Sequence, residues 1–308
     1  MSILPINEPL VSVLLPVYNF PNIEKTVNSI LEQSYNNLEL LICDDGSKIK
    51  PIIDNYDDRR IKYFENKINM GLGPTLNRLL KLSDKSSKYF VTVEQDDCYE
   101  TYFIKDSIFF LERNLDFGMV SGLSEFWDGK RVTYLFPGMI AQGFDYPFFK
   151  EMFLLNYRKQ IKVTQTCMVV RKDIHMKNNL IFSSNYQSLS VDWDYVLRFS
   201  LKSKIKGINK VFVRQDRRID RNSLTKKHLL AGIIVRKLLK DFYNEFPHIV
   251  SKKDYRYALA TQYYNELGNL KFIPRIINLI FGILPIDPDL NRFLTRLKKE
   301  INCLKWKK

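Results

Sequence analysis

The chain of 308 residues is about two domain-lengths, and its 45% hydrophobic, 13% aromatic and 27% charged side chains exclude the disordered, collagen-like and low-complexity classes. Lys and Arg number 48 against 34 Asp and Glu, a net +14 that is unevenly spread: residues 1–200 hold 23 basic and 25 acidic side chains, residues 201–308 hold 25 and 9. A tail at +16 suits a polyanion, whether nucleic acid, an anionic membrane surface or a phosphorylated substrate.

The first 120 residues alternate strand and helix signals. VSVLLPV (11–17) is a continuous apolar run ending in a Tyr-Asn-Phe-Pro loop, which fits a strand buried on both faces. Ile23, Val27, Ile30 and Leu31 recur at helical spacing, with Asn22 as the expected cap. LELLIC (38–43), IKYFEN (61–66) and YFVTVEQ (89–95) read as three more strands, and 72–82 and 101–113 as helices. This alternation predicts an α/β domain with a mostly parallel sheet. Beyond it, strands are expected at 117–122, 131–136, 164–171 and 210–215. Trp193, Val196, Leu197 and Leu201 mark one face of a helix, and the signals from Ser223 onward are helical.

Cys43, Cys98, Cys167 and Cys303 lie far apart with no CxxC pair, so buried reduced thiols are expected, not a zinc site. MSILPINEPL has no basic n-region, and no stretch reaches the roughly 18–20 apolar residues of a membrane span. These features predict a cytoplasmic protein.

In open α/β sheets, ligands bind at the carboxyl ends of strands, where strand order reverses. There the sequence places Pro16-Val17-Tyr18-Asn19, then DDGS (44–47), then EQDD (94–97). Asp-Asp-Gly is also an ordinary turn. EQDD is harder to dismiss, because its three carboxylates repel unless a cation or hydrogen-bond donors compensate them. Oxygen donors suit Mg²⁺ or Mn²⁺ together with substrate phosphates. Met70-Gly71-Leu72-Gly73-Pro74 lacks the third glycine of a dinucleotide fingerprint.

In order and spacing, VSVLLPVYN, SILEQSYNNLELLICDDGS, NMGLGPTLNRLL, YFVTVEQDD and VDWDYVLRF resemble glycosyltransferase family 2 over about residues 10–220. The resemblance implies a GT-A fold, a Rossmann-like sheet flanked by helices, over 1–222, followed by a basic helical region over 223–308. It implies an inverting, metal-dependent transfer of a sugar from a nucleoside-diphosphate donor, a UDP-sugar being favoured, to a hydroxyl on a glycan or lipid-linked acceptor, as in bacterial surface polysaccharide synthesis. By the same resemblance Pro16, Val17, Tyr18 and Asn19 line the nucleotide pocket. Asp45 accepts a hydrogen bond from the base, and Asp44 contacts base or ribose. Asn69 and Asn77 are structural or donor-side. Asp97 is the direct ligand of Mn²⁺ or Mg²⁺, and Asp96 faces ribose or sugar beside it. Glu94 stands where the family usually has Asp. Asp192 aligns with the catalytic base, with Val191 replacing the family's usual Glu and Asp194 left as helix charge or acceptor contact. The family's metal-site His is missing from 213–225, which leaves Asp216 as a substitute ligand or Arg217, Arg218 and Arg221 as diphosphate contacts. Trp127 and Trp193 are candidates to stack on sugar, a core role being favoured for Trp193.

The physical case is independent of the resemblance: departure of a diphosphate calls for counter-charge, and activation of a hydroxyl calls for a positioned carboxylate. A nucleotidyltransferase would show a Gly- and cation-rich loop after the first strand, where Tyr18-Asn19-Phe20-Pro21 stands. A nucleic-acid-binding role lacks zinc, helix-turn-helix or RNP-like signatures, so nucleic acid is not expected as a partner. In the tail, 289–304 reads as a helix with Leu290, Phe293, Leu294, Leu297, Ile301 and Leu304 in one arc and Arg292, Arg296 and Lys299 opposite. Residues 270–308 are therefore expected either to dock on their own domain or to meet an anionic membrane at its inner face.

Overall fold

The computed structural model describes residues 8–136, 145–146, 148–159, 163, 165–186, 188–218, 231–267 and 270–305. The chain forms two compact units, one of Met1–Met152 with Lys162–Ser223, the other of Phe153–Ile161 with Leu224–Lys308.

The first unit is built on one sheet. Its opening strands are β1 (Val11–Val17), β2 (Leu38–Asp44), β3 (Ile61–Glu65) and β4 (Tyr89–Thr92). β5 (Cys98–Tyr99), β6 (Phe117–Trp127), β7 (Val132–Phe136), β8 (Asp145–Tyr146), β9 (Met168–Arg171) and β10 (Lys204–Asp216) complete it. The order is 3-2-1-4-9-6-10-5, with β7 on β6 and β8 on β10. β3, β2, β1 and β4 run parallel, as expected for strands separated by helices. β9 then enters antiparallel between β4 and β6, so the sheet is mixed.

The apolar runs become the buried strands: β2 is buried along its whole length, and β1 nearly so. Glu39 of β2 accepts hydrogen bonds from Ser12 Oγ (2.6 Å) and Lys62 Nζ (2.7 Å), which compensates its burial. Helices α1 (Glu24–Leu31), α2 (Leu72–Leu82) and α3 (Phe103–Arg113) connect the first strands, and α4 (Phe149–Lys159), α5 (Lys172–Lys177) and α6 (Val191–Ser200) follow. Val27, Ile30, Phe103, Ile104 and Leu111 join Val13, Leu15, Leu40 and Val91 in one apolar core.

Several local expectations are corrected. The residue capping α1 is Ile23, with no side-chain cap, so Asn22 does not cap it. β4 ends at Thr92, three residues early, because Gln95 and Asp96 form a turn. The 210–215 strand extends over 204–216, with register shifts after Gly207 and Val211. Its lysines ride one edge in ion pairs: Lys204–Asp116 (2.6 Å), Lys206–Asp145 (2.7 Å) and Lys210–Asp106 (2.6 Å). Part of the tail's positive excess is thus neutralised by acids from the front of the chain. Trp193 is half-buried and Tyr195 and Phe199 are buried instead, against the core role favoured for Trp193. Of the cysteines, Cys43 and Cys167 are buried as expected, but Cys98 is exposed; the Cys303 side chain lies outside the described residues.

His175 lies under α6. Its ring meets Phe90 edge-on at 5.3 Å and its Nδ1 lies 3.0 Å from the Tyr195 hydroxyl. Burial, aided by the nearby Lys172 charge, lowers its pKa to about 4, so the ring is neutral at physiological pH.

The second unit contains α7 (Ala231–Glu245), α8 (Lys252–Glu266), α9 (Phe272–Asn278), which runs on as a π-turn over Leu279–Ile283, and α10 (Leu290–Lys305). Ser251 begins α8 with a reciprocal cap, its Oγ accepting from Asp254 N at 3.1 Å and its N donating to Asp254 Oδ2 at 3.0 Å. A small core joins Ala260, Leu267, Leu279 and Ile283, with Phe293 and Leu297 against it. No described helix is long and apolar enough to cross a membrane.

Candidate active site

β1 has β2 on one side and β4 on the other. The carboxyl ends of these three strands therefore meet where the order reverses, the usual ligand position of an open α/β sheet. All three acid-bearing or polar loops of the sequence leave from there.

These loops are stitched to each other by backbone donors. Asp45 N donates to Val17 O at 2.8 Å, and Tyr18 N donates to Gln95 Oε1 at 2.8 Å. Asn19 sits at φ +47°, a region that Asn tolerates better than most residues. Its N donates to Ser47 Oγ (2.7 Å), and its Oδ1 accepts from Lys48 N (2.8 Å). Asp44 is buried and its Oδ1 accepts from Ser47 N at 3.0 Å. Tyr18 is the exposed member of the first loop, while Val17 is buried and Pro16 half-buried.

Asp45 is also buried, and it holds a distant loop. Oδ1 accepts from Asn66 Nδ2 (2.6 Å) and Met70 N (2.9 Å), and Oδ2 accepts from Gly71 N (2.8 Å). A carboxylate offers about four acceptor sites, so these bonds leave one. Gly46 permits the approach: its φ is +68°, and a Cβ there would stand 2.4 Å from the Ile68 carbonyl carbon. Asn69 is exposed on the held loop. At its far end the loop is tied again. Leu72 N donates to Ser188 Oγ (3.0 Å), and Asn77 exchanges two hydrogen bonds with the Phe182 backbone (2.8 and 2.9 Å). A Cβ on Gly73 would meet the Phe182 and Ser183 carbonyl oxygens at 2.7 Å. Asn77 is therefore structural.

The turn after β4 gathers Glu94, Asp96 and Asp97, one carboxylate oxygen of each lying within 4.8 Å of the others. Asp97 is fully buried, and Glu94 and Asp96 are half-buried. Thr26 Oγ1 on α1 donates to Gln95 O (3.0 Å) and Asp97 O (2.7 Å), and Glu94 N donates to the Tyr99 hydroxyl at 2.9 Å. Tyr99 in turn bonds Thr166. Burial and the Asp97 charge hold the Tyr99 phenol well above its ordinary pKa, and burial first, with Asp97 and Glu94 adding to it, pushes Cys167 up to about 11. The donor set is all hard oxygen, clustered and partly open, which fits Mg²⁺ or Mn²⁺. Glu94 has the same place in the cluster as the two aspartates, more than its sequence position suggested.

Other expected residues are not among these three carboxylates. Asp192 is half-buried in the first turn of α6, two residues past Ser190, which begins that helix. Asp194 is buried, and its Oδ1 is paired with Arg198 Nε at 2.9 Å. Asp216 is bound to Arg218 at 2.6 Å and is not in the acidic cluster. Arg217 lies over the Phe126 ring at 4.7 Å. Trp127 is half-buried at the end of β6, with Lys25 Nζ 5.3 Å from its ring centre. Arg221 lies outside the described residues. Sequence reasoning missed Thr26, Tyr99, Gln95 and Ser188, whose partners are mostly tens of residues away and leave no local spacing signal.

A Rossmann-like sheet with an oxygen-rich cluster at its switch point is the architecture of nucleotide-binding α/β proteins. The profile of Glycosyl transferase family 2 matches residues 12–178, and the chain belongs to that family. A Haemophilus influenzae glycosyltransferase is 30% identical over 183 residues, covering 54% of this chain and 70% of that protein. A second from the same organism is 35% identical over 113 residues, covering 35% of this chain and 34% of that protein. The chain thus spans about a third of the length of that second relative. Among solved structures, Staphylococcus aureus TarS 1–349 superposes with TM-score 0.63 at 18% identity, over 90% of this chain and 81% of that one. The same TarS segment has been seen in complex with UDP-GlcNAc, with TM-score 0.60, 19% identity and coverage of 87% and 78%. The GT-A fold expected from the motifs is the one observed.

Proposed function

We propose that this enzyme transfers a sugar from a nucleoside-diphosphate donor to a hydroxyl acceptor with inversion at the anomeric carbon. The observation that carries the reading is the convergence of Glu94, Asp96 and Asp97 at the switch point, beside Tyr18, Asp44 and Asp45. The UDP-GlcNAc complex of TarS supports a UDP-sugar as donor. Tyr18 and Asn19, with the remaining acceptor site of Asp45 and with Asp44, hold the base and ribose end. Asp97 and Asp96, with Glu94 beside them, would hold Mn²⁺ or Mg²⁺. A divalent ion bound there supplies the counter-charge for the departing diphosphate. Asp192 takes the proton of the acceptor hydroxyl. The acceptor oxygen then bonds to the anomeric carbon as the bond to the diphosphate breaks on the opposite face. The acceptor is a glycan or lipid-linked hydroxyl in surface polysaccharide synthesis. The enzyme works in the cytoplasm, with 270–308 lodged against the inner face of the membrane.

A nucleotide-sugar panel scored by release of the nucleoside diphosphate tests the reading. Release should require Mn²⁺ or Mg²⁺ and stop with EDTA, and the product should show inverted configuration by NMR. Asp192→Asn should lower kcat at least about a hundredfold with little change in donor affinity. Full turnover in EDTA, or retention of configuration, would overturn the mechanism.

A further inference from the structure

The second unit buries ion pairs beside its small apolar core and leaves aliphatic side chains outside. Asp287 is buried and accepts from Arg292 Nε at 2.8 Å, with the buried Arg296 3.5 Å away. Glu300 is buried too, held by Arg275 (2.7 Å) and the Tyr264 hydroxyl (2.6 Å). Meanwhile Ile273, Ile277, Phe281, Leu290, Leu294 and Ile301 stand in solvent, each 42% to 76% exposed.

Helix geometry makes these six residues two stripes. Ile273, Ile277 and Phe281 follow one another at i, i+4 and i+8, one face of α9 and its π-turn. The opposite face puts Leu279 and Ile283 into the small core. A segment apolar all round is ordinarily buried all round, and this one is covered on one side. On α10, at 100° per residue, Leu290, Ile301 and Leu294 fall within about 40° of one another. Phe293, Arg296, Leu297 and Glu300 form the adjoining inward face. The Arg275–Glu300 pair, at 2.7 Å, ties the start of α9 to α10. The arc expected from the sequence is thus split: Phe293 and Leu297 pack on the core, Leu290, Leu294 and Ile301 face out, the Leu304 side chain lies outside the described residues, and Arg296, expected on the opposite side, is buried.

Charge decides what covers this surface. Residues 270–308 carry nine basic and three acidic side chains, a net +6. Lys271, which caps α9, and Lys298, about 40° round α10 from Leu294, are exposed. A second copy would bring like charge to like charge. Nucleic acid would leave the aliphatic stripes in water. An anionic bilayer satisfies both, burying apolar side chains at the acyl boundary and placing lysines at the head groups. Each such Lys or Arg contributes about 1 kcal/mol near an anionic surface.

We propose that the solvent-facing stripes Ile273–Ile277–Phe281 and Leu290–Leu294–Ile301, together with Lys271 and Lys298, are a docking surface for an anionic lipid bilayer. This deepens the membrane attachment in the proposed function, and its test is independent of sugar transfer. The full chain is sedimented with phosphatidylcholine vesicles and with vesicles containing about 30 mol% phosphatidylglycerol, at low and high salt. Binding is expected to the anionic vesicles alone and to weaken with salt. The variant Ile273→Glu/Ile277→Glu/Phe281→Glu changes only solvent-exposed positions. It is expected to lower vesicle affinity at least about tenfold while release of nucleoside diphosphate from the donor in detergent-free buffer is unchanged. Lys271→Glu/Lys298→Glu should reduce binding with the apolar stripes intact. The proposal is overturned if the full chain ignores anionic vesicles at low salt, or if the triple variant binds as well as wild type. Light scattering that shows a dimer broken by the triple variant, without vesicle binding, would assign the surface to self-association. Salt-sensitive RNA or DNA binding without vesicle binding would assign the charge to nucleic acid.

Discussion

The sheet unit and the helical unit both bury apolar cores and differ in what they leave at the surface. In the sheet unit, Val13, Leu15, Leu40, Val91 and their neighbours fill a dry interior, and the half-buried acids Glu94 and Asp96 gather at one end of the strands. In the helical unit, Asp287, Arg296 and Glu300 are inside, and aliphatic side chains from α9 and α10 are outside. The first arrangement concentrates charge where a small polar ligand can reach it, on a scaffold that apolar packing keeps stiff. The second holds its helices with a few ion pairs and leaves its apolar surface unspent. One chain therefore presents two surfaces of opposite chemistry.

That contrast can be broken at several points. The largest expected effect is on the acidic turn: Asp97→Ala should lower sugar transfer by at least about a thousandfold, several kcal/mol of transition-state stabilisation, with the helical unit unaffected. Donor turnover at saturating Mn²⁺ measures it, and a loss under tenfold would separate the cluster from the chemistry. Next is Asp45→Asn. Replacing one acceptor oxygen by an amide nitrogen sets donor against donor at Met70 N or Gly71 N, costing about 1–3 kcal/mol. Donor KM should rise roughly tenfold with kcat less changed, and a KM within twofold of wild type would mean the held loop is not part of the donor site.

In the helical unit, Glu300→Ala should destabilise by about 2 kcal/mol. This is less than a fully buried pair is worth, because Arg275 is about a quarter exposed and regains water. Hydrogen exchange over 252–305 should rise while donor KM stays fixed; if KM moved equally, the contrast between the units would fail. The most gradual effect is a slope with pH. His175 has a folded pKa near 4 against about 6.5 unfolded, so the unfolded chain binds the extra proton between those values. Stability should rise from pH 4 to 6.5, by up to about 3 kcal/mol, and be lost as pH falls toward 4. His175→Gln should flatten that slope in urea titrations.

Much of the sheet was legible because continuous apolar runs such as 11–17 and 38–43 have few other folds open to them. The acids were legible because they end those runs. β10 was half-hidden, since Lys204, Lys206 and Lys210 look like solvent charge until Asp116, Asp145 and Asp106 are placed beside them. The part Asp45 plays in holding a distant loop was not legible, because its partners Met70 and Gly71 are backbone N–H groups, and these have no sequence signature. In the tail, periodicity found α10 and its apolar arc. It could not tell that Arg296 and Glu300 would turn inward, because that depends on Asp287, Thr261 and Tyr264.

Cys98 follows Asp97 directly and, among the described residues, is the exposed thiol, Cys43 and Cys167 being buried. In a Cys303→Ser background a thiol-reactive fluorophore would attach one residue from the acidic cluster. The protein thus carries its own attachment point for an optical probe of that turn. Emission followed during addition of Mn²⁺, then of nucleotide, would time the two arrivals separately, without any acceptor in the cuvette.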